Sequence, residues 1–293
     1  MNRWLFVVLV LITTSLMGSS FAVGKVGLAY VSPLLLVGLR FTLAGVLMAI
    51  FVVRHQHPSN LRDWYKIALV GVFQTAGVMG CIFLSLRTIT ASESSILTFT
   101  NPLFVIIFGT LFTKARYSLV QWIGVLVGFL GVFITLGFHV HLRFGTWLAL
   151  FGAVSWAIAT LLVKRWGGGL NMWVLTAYQM LFGGLLLIIG SFTIERPHIV
   201  FNSTSVFVVV WLAIMASIVQ FAIWFYLLHH GDPGKTSAFL FLAPFFGVLS
   251  GWLILGEVVK WPVMVGGLLI FVGIFLVNWP EPKLKAGTAL RDV

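Results

Sequence analysis

The chain has 293 residues, a formal net charge of +11 and a mean hydropathy of +1.09. It is 60% hydrophobic and only 9% charged, whereas soluble domains carry about 25% charged residues. This composition excludes an ordinary water-soluble domain. The positive charge could indicate nucleic-acid binding, but in so apolar a chain the basic residues are better interpreted as signals of membrane topology. We therefore expect no nucleic-acid partner.

Apolar runs of about 20 residues recur along the chain, and each is long enough to cross a hydrocarbon core of about 30 Å. The runs do not alternate with period two as barrel strands do, and open sheet edges are not stable in lipid, so we predict helices. The predicted fold is an all-α polytopic membrane protein whose ten transmembrane helices cover residues 4–23, 33–53, 65–86, 92–113, 118–137, 145–163, 172–193, 206–228, 236–256 and 261–279.

The basic residues predict the orientation of these helices. If the N-terminus is cytoplasmic, 12 Lys and Arg residues face the cytoplasm and five face the other side, with Arg40 alone inside a helix. An excess of basic residues in cytoplasmic loops is the usual bias of membrane proteins. We therefore predict a multi-pass protein of the cell (inner) membrane, surrounded by membrane lipid, with its N- and C-termini in the cytoplasm.

The chain also resembles itself. Residues 99–133 align without a gap with residues 241–275, at a shift of 142, and ten of these 35 positions are identical, including Pro102/Pro244. Earlier segments match at a shift of 139, as in Lys25/Lys164. Self-similarity of this kind indicates a duplicated membrane protein, an architecture typical of transporters.

The duplication predicts how the two halves are related in the membrane. Each half contains five predicted helices, and this odd number makes the second half enter the membrane from the opposite side. The halves are therefore predicted to be inverted repeats, which typically rock about a central cavity that opens to alternate sides. We assign residues 1–140 to the first repeat, 141–280 to the second and 281–293 to a cytoplasmic tail.

Helix one resembles a signal peptide, because Arg3 precedes an apolar run and Ser20-Phe21-Ala22 is similar to a cleavage site. Since helix one pairs with helix six in the repeat, we expect it to be retained.

Arg40 is the outstanding polar residue, because an ionised side chain inside a span costs several kcal/mol unless it is paired or hydrated. Its repeat partner is Gln179, which is also polar. Two interpretations remain open for Arg40. It is either a cavity-facing cation that attracts an anionic group such as a carboxylate, or a structural residue that bonds helix-end carbonyls or snorkels outward.

Further polar residues predict a cavity at the centre of the bundle. Ser95, Thr98 and Asn101 precede Pro102 in helix four, and Ser237 precedes Pro244 in helix nine. We expect these two prolines to kink their helices. The hydroxyls would then satisfy the freed carbonyls or face the cavity; the alternative is that they only join helices together. We also assign cavity positions to polar residues of helices one, three and eight, namely Ser19, Gln74 and Gln220.

Aromatic and acidic residues complete the set of candidates. Trp156, Tyr178 and Trp224 could form aromatic walls, although aromatic residues near span ends are more often interfacial anchors. None of the seven acidic residues lies deep in a predicted span. Because proton relays usually need a buried carboxylate or histidine, Glu93 and Glu257, at the outer ends of helices, are the only candidates for proton coupling.

The sequence gives no indication of a metal or cofactor. Cys81 is the only cysteine, so neither an intramolecular disulfide nor a cysteine-based metal site is possible. The histidine pairs lie at loops or helix ends without a cluster of carboxylates. No Walker-type phosphate loop is present, so we expect no ATP hydrolysis by the chain itself.

Several short motifs occur in order along about residues 1–280, namely Gly18-Ser19-Ser20-Phe21 with Lys25, Pro33 followed by Leu39-Arg40-Phe41, Pro102, Pro244, and Leu255-Gly256-Glu257. With these motifs and ten predicted helices in two halves, the chain resembles the drug/metabolite transporter superfamily, specifically its EamA-type exporters. The family often carries Gly-Glu at the end of helix four as well, whereas this chain has Lys114-Ala115 there. A role of Glu257 therefore cannot be assumed for both repeats.

The resemblance implies a secondary transporter that exports small metabolites, amino acids or drugs by alternating access. The alternatives are a lipid or lipid-linked sugar translocase of similar fold, a membrane-embedded enzyme and a non-transporting receptor. The enzyme is disfavoured because the spans hold no cluster of nucleophile machinery. We expect a small-molecule substrate, and exposed small-residue faces leave a homodimer possible.

Overall fold

A computed structural model describes residues 3–113, 117–135, 143–230 and 239–277. These residues form an α-helical bundle in which the described part contains no sheet and a single isolated bridge, between Val31 and Ile199. The helices of the first half are α1 (Arg3–Gly27), α2 (Pro33–Phe51), α3 (Leu61–Gly71), α4 (Val78–Ser85), α5 (Ala91–Thr98), α6 (Asn101–Thr113) and α7 (Leu119–Thr135). Those of the second half are α8 (Phe144–Trp166), α9 (Met172–Ile194), α10 (Ser203–Ala213), α11 (Gln220–His230), α12 (Leu242–Leu255) and α13 (Trp261–Val277).

Several of these helices join into longer apolar segments. Seven segments in the described part are long and apolar enough to cross a membrane: Trp4–Gly27, Pro33–Phe51, Leu61–Ser85, Ala91–Phe112, Phe144–Gly169, Met172–Ile194 and Ser203–Trp224. Three further apolar helices, α7, α12 and α13, are shorter than 18 residues. The polytopic helical fold is therefore confirmed, while the count of ten membrane crossings stays a prediction.

Helix boundaries repeat between the two halves at the shifts found in the sequence. Helix α9 begins 139 residues after α2, and α10 begins 142 residues after α3. Helix α13 begins and ends 142 residues after α7. In the described part of each half, one π-helical turn also occurs, as π1 (Val72–Gly77) between α3 and α4 and as π2 (Ile214–Val219) between α10 and α11. The repeat therefore extends to local irregularities of the backbone, which recur often at functional sites.

Equivalent helices of the two halves pack against each other in opposite directions. In the α7–α13 contact, Gly124 lies against Gly273 and Gly131 lies against Gly266. The residue numbers of the contacting positions rise along α7 while they fall along α13, so the two helices are antiparallel. The α2–α9 contact is antiparallel as well, because Gly38 lies against Ile188 and Gly45 lies against Leu181. Since equivalent helices of a non-inverted duplication would point in the same direction, this packing identifies inverted repeats.

The fourth predicted transmembrane helix, over residues 92–113, is broken just before Pro102. Helix α5 ends at Thr98, and α6 begins at Asn101 with Pro102 in its first turn. In the other half, a 3₁₀ turn over Phe239–Phe241 precedes α12, and Pro244 lies in the first turn of that helix. A proline is tolerated there because the first N–H groups of a helix have no intrahelical partner.

Candidate functional site

A cavity of about 370 Å³ lies between the two repeats. Helices from both halves contribute to it, because α1, α3 and π1 of the first half line it together with α8, α9, α11 and the 3₁₀ turn of the second. Its lining residues are Met17, Val70, Gln74, Trp156, Thr160, Val163, Met172, Leu175, Thr176, Gln179, Gln220, Phe221, Trp224 and Leu240. A volume of this size is typical of small-molecule sites.

The lining combines neutral polar groups with apolar and aromatic surface. Three glutamine side chains, Gln74, Gln179 and Gln220, supply amide donors and acceptors, and two threonines supply hydroxyls. Trp156 and Trp224 supply aromatic faces. No Asp, Glu, Lys, Arg or His is among the lining residues that the structure describes. Such a surface can bind an amphipathic solute through hydrogen bonds and ring contacts without an opposite fixed charge.

The cavity lies toward one end of the bundle. On α9 it is lined by the N-terminal part of the helix, from Met172 to Gln179, and on α8 by the C-terminal part, from Trp156 to Val163. Thr160, which lines it, is exposed. We call the end where α8 terminates and α9 begins the open end, and the opposite end, which holds Lys25 and Glu257, the sealed end.

Ion pairing and helix capping close the sealed end. The Glu257 carboxylate accepts hydrogen bonds from the backbone N–H groups of Ala91, at 2.7 Å, and Ser92, at 3.1 Å, and from the Ser92 hydroxyl at 2.8 Å. Lys25 Nζ lies 3.3 Å from Glu257 Oε1 and donates to the Ile89 carbonyl at 2.9 Å. The segment after α12 is thereby joined to α1 and to the N-terminus of α5, where a carboxylate is favoured by the helix dipole.

A second carboxylate at this end was missed by sequence reasoning. Glu195 Oε1 accepts from the backbone N–H groups of Leu34 and Leu35, at 3.0 and 3.1 Å, and from the Ser191 hydroxyl at 2.7 Å. It supplies the N-terminal cap that Ser32 does not provide to α2. The only signal in the sequence was an unassigned acidic residue on the same predicted membrane side as the start of α2, because Ser32 before Pro33 looks like an ordinary N-cap.

The acidic groups proposed for coupling are engaged as caps. Burial raises the pKa of Glu257, but its hydrogen bonds from Ala91 and Ser92 and the charge of Lys25 outweigh burial, so that the pKa lies below its ordinary value of 4.5. Glu93 accepts from the Thr90 backbone N–H at 3.1 Å within the capping box of α5. These contacts give both residues a structural role as helix caps, and the lowered pKa of Glu257 disfavours proton exchange by that residue near neutral pH.

The lowered pKa predicts how the sealed end responds to pH. Because the folded-state pKa is below 4.5, the contribution of Glu257 to stability is complete above pH 4.5 and is lost as the pH falls through the lower folded value. We expect the difference in Tm between the wild type and Glu257→Gln to be constant from pH 8 to about 5 and to shrink below about pH 4.5. Thermal unfolding in detergent across this range measures it; a difference that grows on acidification would contradict it.

The structure divides the predicted cavity residues into two groups. Gln74, Trp156, Gln179, Gln220 and Trp224 line the cavity. The remaining ones that the structure describes do not line it, namely Ser19, Arg40, Ser95, Thr98, Asn101 and Tyr178. Ser237 lies outside the described residues.

The residues outside the lining have other neighbours. Tyr178 packs edge-on against Trp64, with ring centroids 4.7 Å apart. Ser19 donates to the Leu16 carbonyl at 3.4 Å and Ser95 to the Ser92 carbonyl at 3.0 Å, both within their own helices. Ser95 also lies directly against Gly247, where α5 meets α12. Sequence reasoning could not separate these positions from lining ones because helix rotation depends on packing.

Arg40 and Gln179 make equivalent contacts in the two repeats. Arg40 Nε donates to the Ser217 hydroxyl at 3.0 Å and Nη2 to the Ala216 carbonyl at 2.8 Å, both in π2. The Thr75 hydroxyl, in π1, donates to Gln179 Oε1 at 2.7 Å. Ser217 follows Thr75 by 142 positions, and Gln179 follows Arg40 by 139. Each repeat therefore uses the same helix position to hold a π turn of the other, but with different chemistry.

A bundle of inverted repeats around a shared cavity is the architecture of secondary transporters. The model of the EamA-like transporter family matches residues 4–137 and 143–279, so the chain belongs to that family. This confirms the family predicted from the sequence and makes the chain a multi-pass membrane transporter of the drug/metabolite superfamily.

Similar proteins agree with this assignment. The chain is 27% identical to the transporter YvbV of Bacillus subtilis, over 92% of this chain and 90% of that protein. It is also 27% identical to the inner membrane transporter YedA of Escherichia coli, over 88% and 86% of the two chains. A WAT1-related chloroplastic protein of Arabidopsis thaliana is 27% identical over 90% of this chain and 67% of its own length. One crystal structure matches 94% of this chain and 96% of its own with a TM-score of 0.65 and 19% identity, which supports the fold.

Proposed function

We propose that the protein exports small organic solutes by alternating access, and that the structure corresponds to a state accessible from the open end. The observation that carries this proposal is the cavity of about 370 Å³, which lies between the repeats and toward one end while the opposite end is closed by Lys25 and Glu257. In the topology predicted from the basic residues, the open end faces the cytoplasm, from which an exported solute would enter.

The lining supports small amphipathic solutes as substrates. Gln74, Gln179 and Gln220 could hydrogen-bond polar groups, while Trp156 and Trp224 could contact an apolar or aromatic body. A cation would find no carboxylate among the described lining residues, so a cationic drug is a weaker candidate than a neutral, zwitterionic or anionic solute. Because Glu93 and Glu257 serve as caps, we favour facilitated transport or exchange over proton antiport through either residue.

One structural feature, a surface groove, bears on the alternative of a lipid translocase. A groove of about 750 Å³ runs along the outer surface of α10 and is lined mainly by apolar residues such as Phe201, Phe207 and Trp211. It shares no lining residue with the cavity between the repeats. A translocase would need a polar cavity that continues into a lipid-facing opening, and this separation favours the solute exporter.

Substitution of the cavity glutamines tests the proposal. We first identify a stabilising solute class by a thermal-shift screen of the purified protein against amino acids, nucleosides and cationic drugs. Gln220→Leu should then weaken binding of that solute about tenfold, because a buried hydrogen bond is lost. Binding is measured by isothermal titration calorimetry.

Gln121→Leu is the matched control, because Gln121 is half-buried in α7 and bonds the Val277 carbonyl outside the cavity. It should leave affinity within about twofold, which is less than the effect of one lost hydrogen bond. Failure of every solute class to stabilise the protein, or equal weakening by the two substitutions, would contradict the proposed site.

A further inference from the structure

We propose that opening of the sealed end creates a second substrate-binding surface around Arg40 and Thr98, and that this surface binds a small organic anion with an apolar body. The inference rests on the proposed alternating access. It adds a binding site that is closed in the present structure, and it specifies that the substrate carries a negative charge.

The inverted repeats define where the second surface would form. When two inverted repeats exchange conformations around a shared central site, the access path on the other side is formed by the repeat partners of the positions that form the present one. Met17 and Trp156, which are repeat partners at a shift of 139 and both line the present cavity, belong to the shared part. Gln179 and Leu240 line the present cavity, and their repeat partners are Arg40 and Thr98, at shifts of 139 and 142. The helix starts that recur at the same shifts support this correspondence.

The partners of the lining residues are closed off in the present structure. Most lining positions on α3, π1, α9, α11 and the 3₁₀ turn have buried repeat partners. These partners are Pro33, Leu36, Val37, Arg40, Val78, Ile82, Thr98, Leu212 and Ala216. They lie toward the sealed end of the bundle. A cavity formed from them would be mostly apolar, with Arg40 as its charged group.

Two of these partners carry polar atoms that the closed state leaves unsatisfied. Arg40 is 2% exposed and Thr98 0% exposed. Among the described residues, neither Arg40 Nη1 nor Thr98 Oγ1 has a hydrogen-bond partner. An unpaired buried donor costs free energy, so a purely structural role accounts for Nε and Nη2 of Arg40 but not for Nη1. A ligand with acceptor atoms would satisfy these orphaned groups where the opened surface exposes them.

The composition of this surface selects the ligand class. A guanidinium forms its strongest hydrogen bonds with carboxylate and phosphate oxygens. The surrounding Leu, Val and Ile side chains favour an apolar body, and the small size of the present cavity favours a single carboxylate group over a large polyanion. The glutamine amides of the present cavity can also donate to a carboxylate, so the same solute fits both states.

Cysteine labelling tests whether the second surface opens. In a Cys81→Ser background, Thr98→Cys and Leu240→Cys are labelled in detergent with the charged reagent 2-sulfonatoethyl methanethiosulfonate. We expect Leu240→Cys to react rapidly and Thr98→Cys slowly. Lys25→Met, which removes the ion pair with Glu257, should raise the labelling rate of Thr98→Cys about tenfold by shifting the population toward the state open at the sealed end.

Lys66→Met is the matched control, because Lys66 forms the ion pair with Asp63, at 2.6 Å, away from the sealed end. It should leave the labelling of Thr98→Cys unchanged. If Thr98→Cys stays protected in both backgrounds while Leu240→Cys reacts, the second surface is refuted and the present cavity stands. If Leu240→Cys does not react at all, the proposed function itself fails.

A matched pair of ligands tests the charge. The probes are 3-phenylpropanoate and its neutral amide, 3-phenylpropanamide, measured by calorimetry in the Lys25→Met background. Arg40→Gln, which places the residue of the second repeat in the first, should weaken binding of the anion about tenfold and change binding of the amide less than twofold, because one charged hydrogen-bonding group is lost. Arg40→Lys retains the charge and should keep most of the preference for the anion. This variant replaces Arg40→Gln in the test if Arg40→Gln does not fold. Equal loss for both ligands, or no loss for either, would overturn the inference.

Discussion

Replacing Glu257 with glutamine should lower the Tm of the purified protein by about 5 °C, because it removes about 3 kcal/mol of charge-assisted hydrogen bonding. The carboxylate accepts from two backbone N–H groups and the hydroxyl of Ser92, and it pairs with Lys25. Glutamine cannot replace it, since its NH₂ group would face donors. The Glu257 side chain is 9% exposed, so water compensates little for the loss. Thermal unfolding in detergent at pH 7 measures the effect.

Glu93→Gln is the matched control for this prediction. Glu93 lies in the same N-terminal turn of α5 and accepts one hydrogen bond, from the Thr90 backbone N–H. Glutamine serves in a capping box as glutamate does, so the Tm should change by no more than about 1 °C, the effect of a few tenths of a kcal/mol. Equal losses for the two substitutions would mean that the general charge of the α5 N-terminus, and not the contacts of Glu257, stabilises the sealed end.

Gly131→Ala should destabilise the protein as strongly, although it adds only a methyl group. At this position a Cβ atom would lie 2.6 Å from the Gly266 carbonyl oxygen and 2.7 Å from the Ile270 backbone nitrogen. Both neighbours are backbone atoms of α13, so the two helices must separate. Overpacking of this kind costs about 1–3 kcal/mol. We expect a lower Tm and a reduced yield of monodisperse protein in size-exclusion chromatography.

Gly190→Ala provides a control with the opposite sign. A Cβ atom there would meet only side-chain atoms of Leu34 and Ile194, at 3.7 and 3.8 Å, which is ordinary contact. Because alanine favours helix by about 1 kcal/mol over glycine, this substitution should leave the Tm equal or higher. Destabilisation by Gly190→Ala, or tolerance of Gly131→Ala, would show that the close approach of α7 and α13 does not control stability.

Parts of the site could be predicted from the sequence, because polar residues within apolar helices and their repeat partners indicate positions with special surroundings. Gln74 and Gln220 were assigned to the cavity as polar residues of apolar helices, and both line it. Arg40 was recognised as unusual because a charge in an apolar helix needs a partner. Its partners, Ser217 and the Ala216 carbonyl, could not be named, because they belong to π2, whose position depends on how α10 and π2 pack against α2.

Other positions were assigned by residue type alone. Thr98 and Ser95 precede Pro102, and Tyr178 precedes Gln179, but none of the three lines the cavity. Successive residues of a helix point in directions about 100° apart. Even when the helix and the depth of a residue in the membrane are predicted correctly, the direction in which its side chain faces is therefore not known. Glu195 was overlooked for a related reason, since its partners at Leu34 and Leu35 lie 160 residues or more away in the chain.

The membrane environment, the helical class, the duplication and the family could all be recognised in the sequence, because hydrophobicity and repeated motifs do not depend on packing. Three features of the site emerged only from the packing of the helices: the glutamines line a cavity toward one end, Glu257 joins three segments at the other, and Arg40 is buried with an unpaired donor. They could not be predicted because the two repeats, although similar in sequence, pack differently against each other. A cavity open at one end requires that difference.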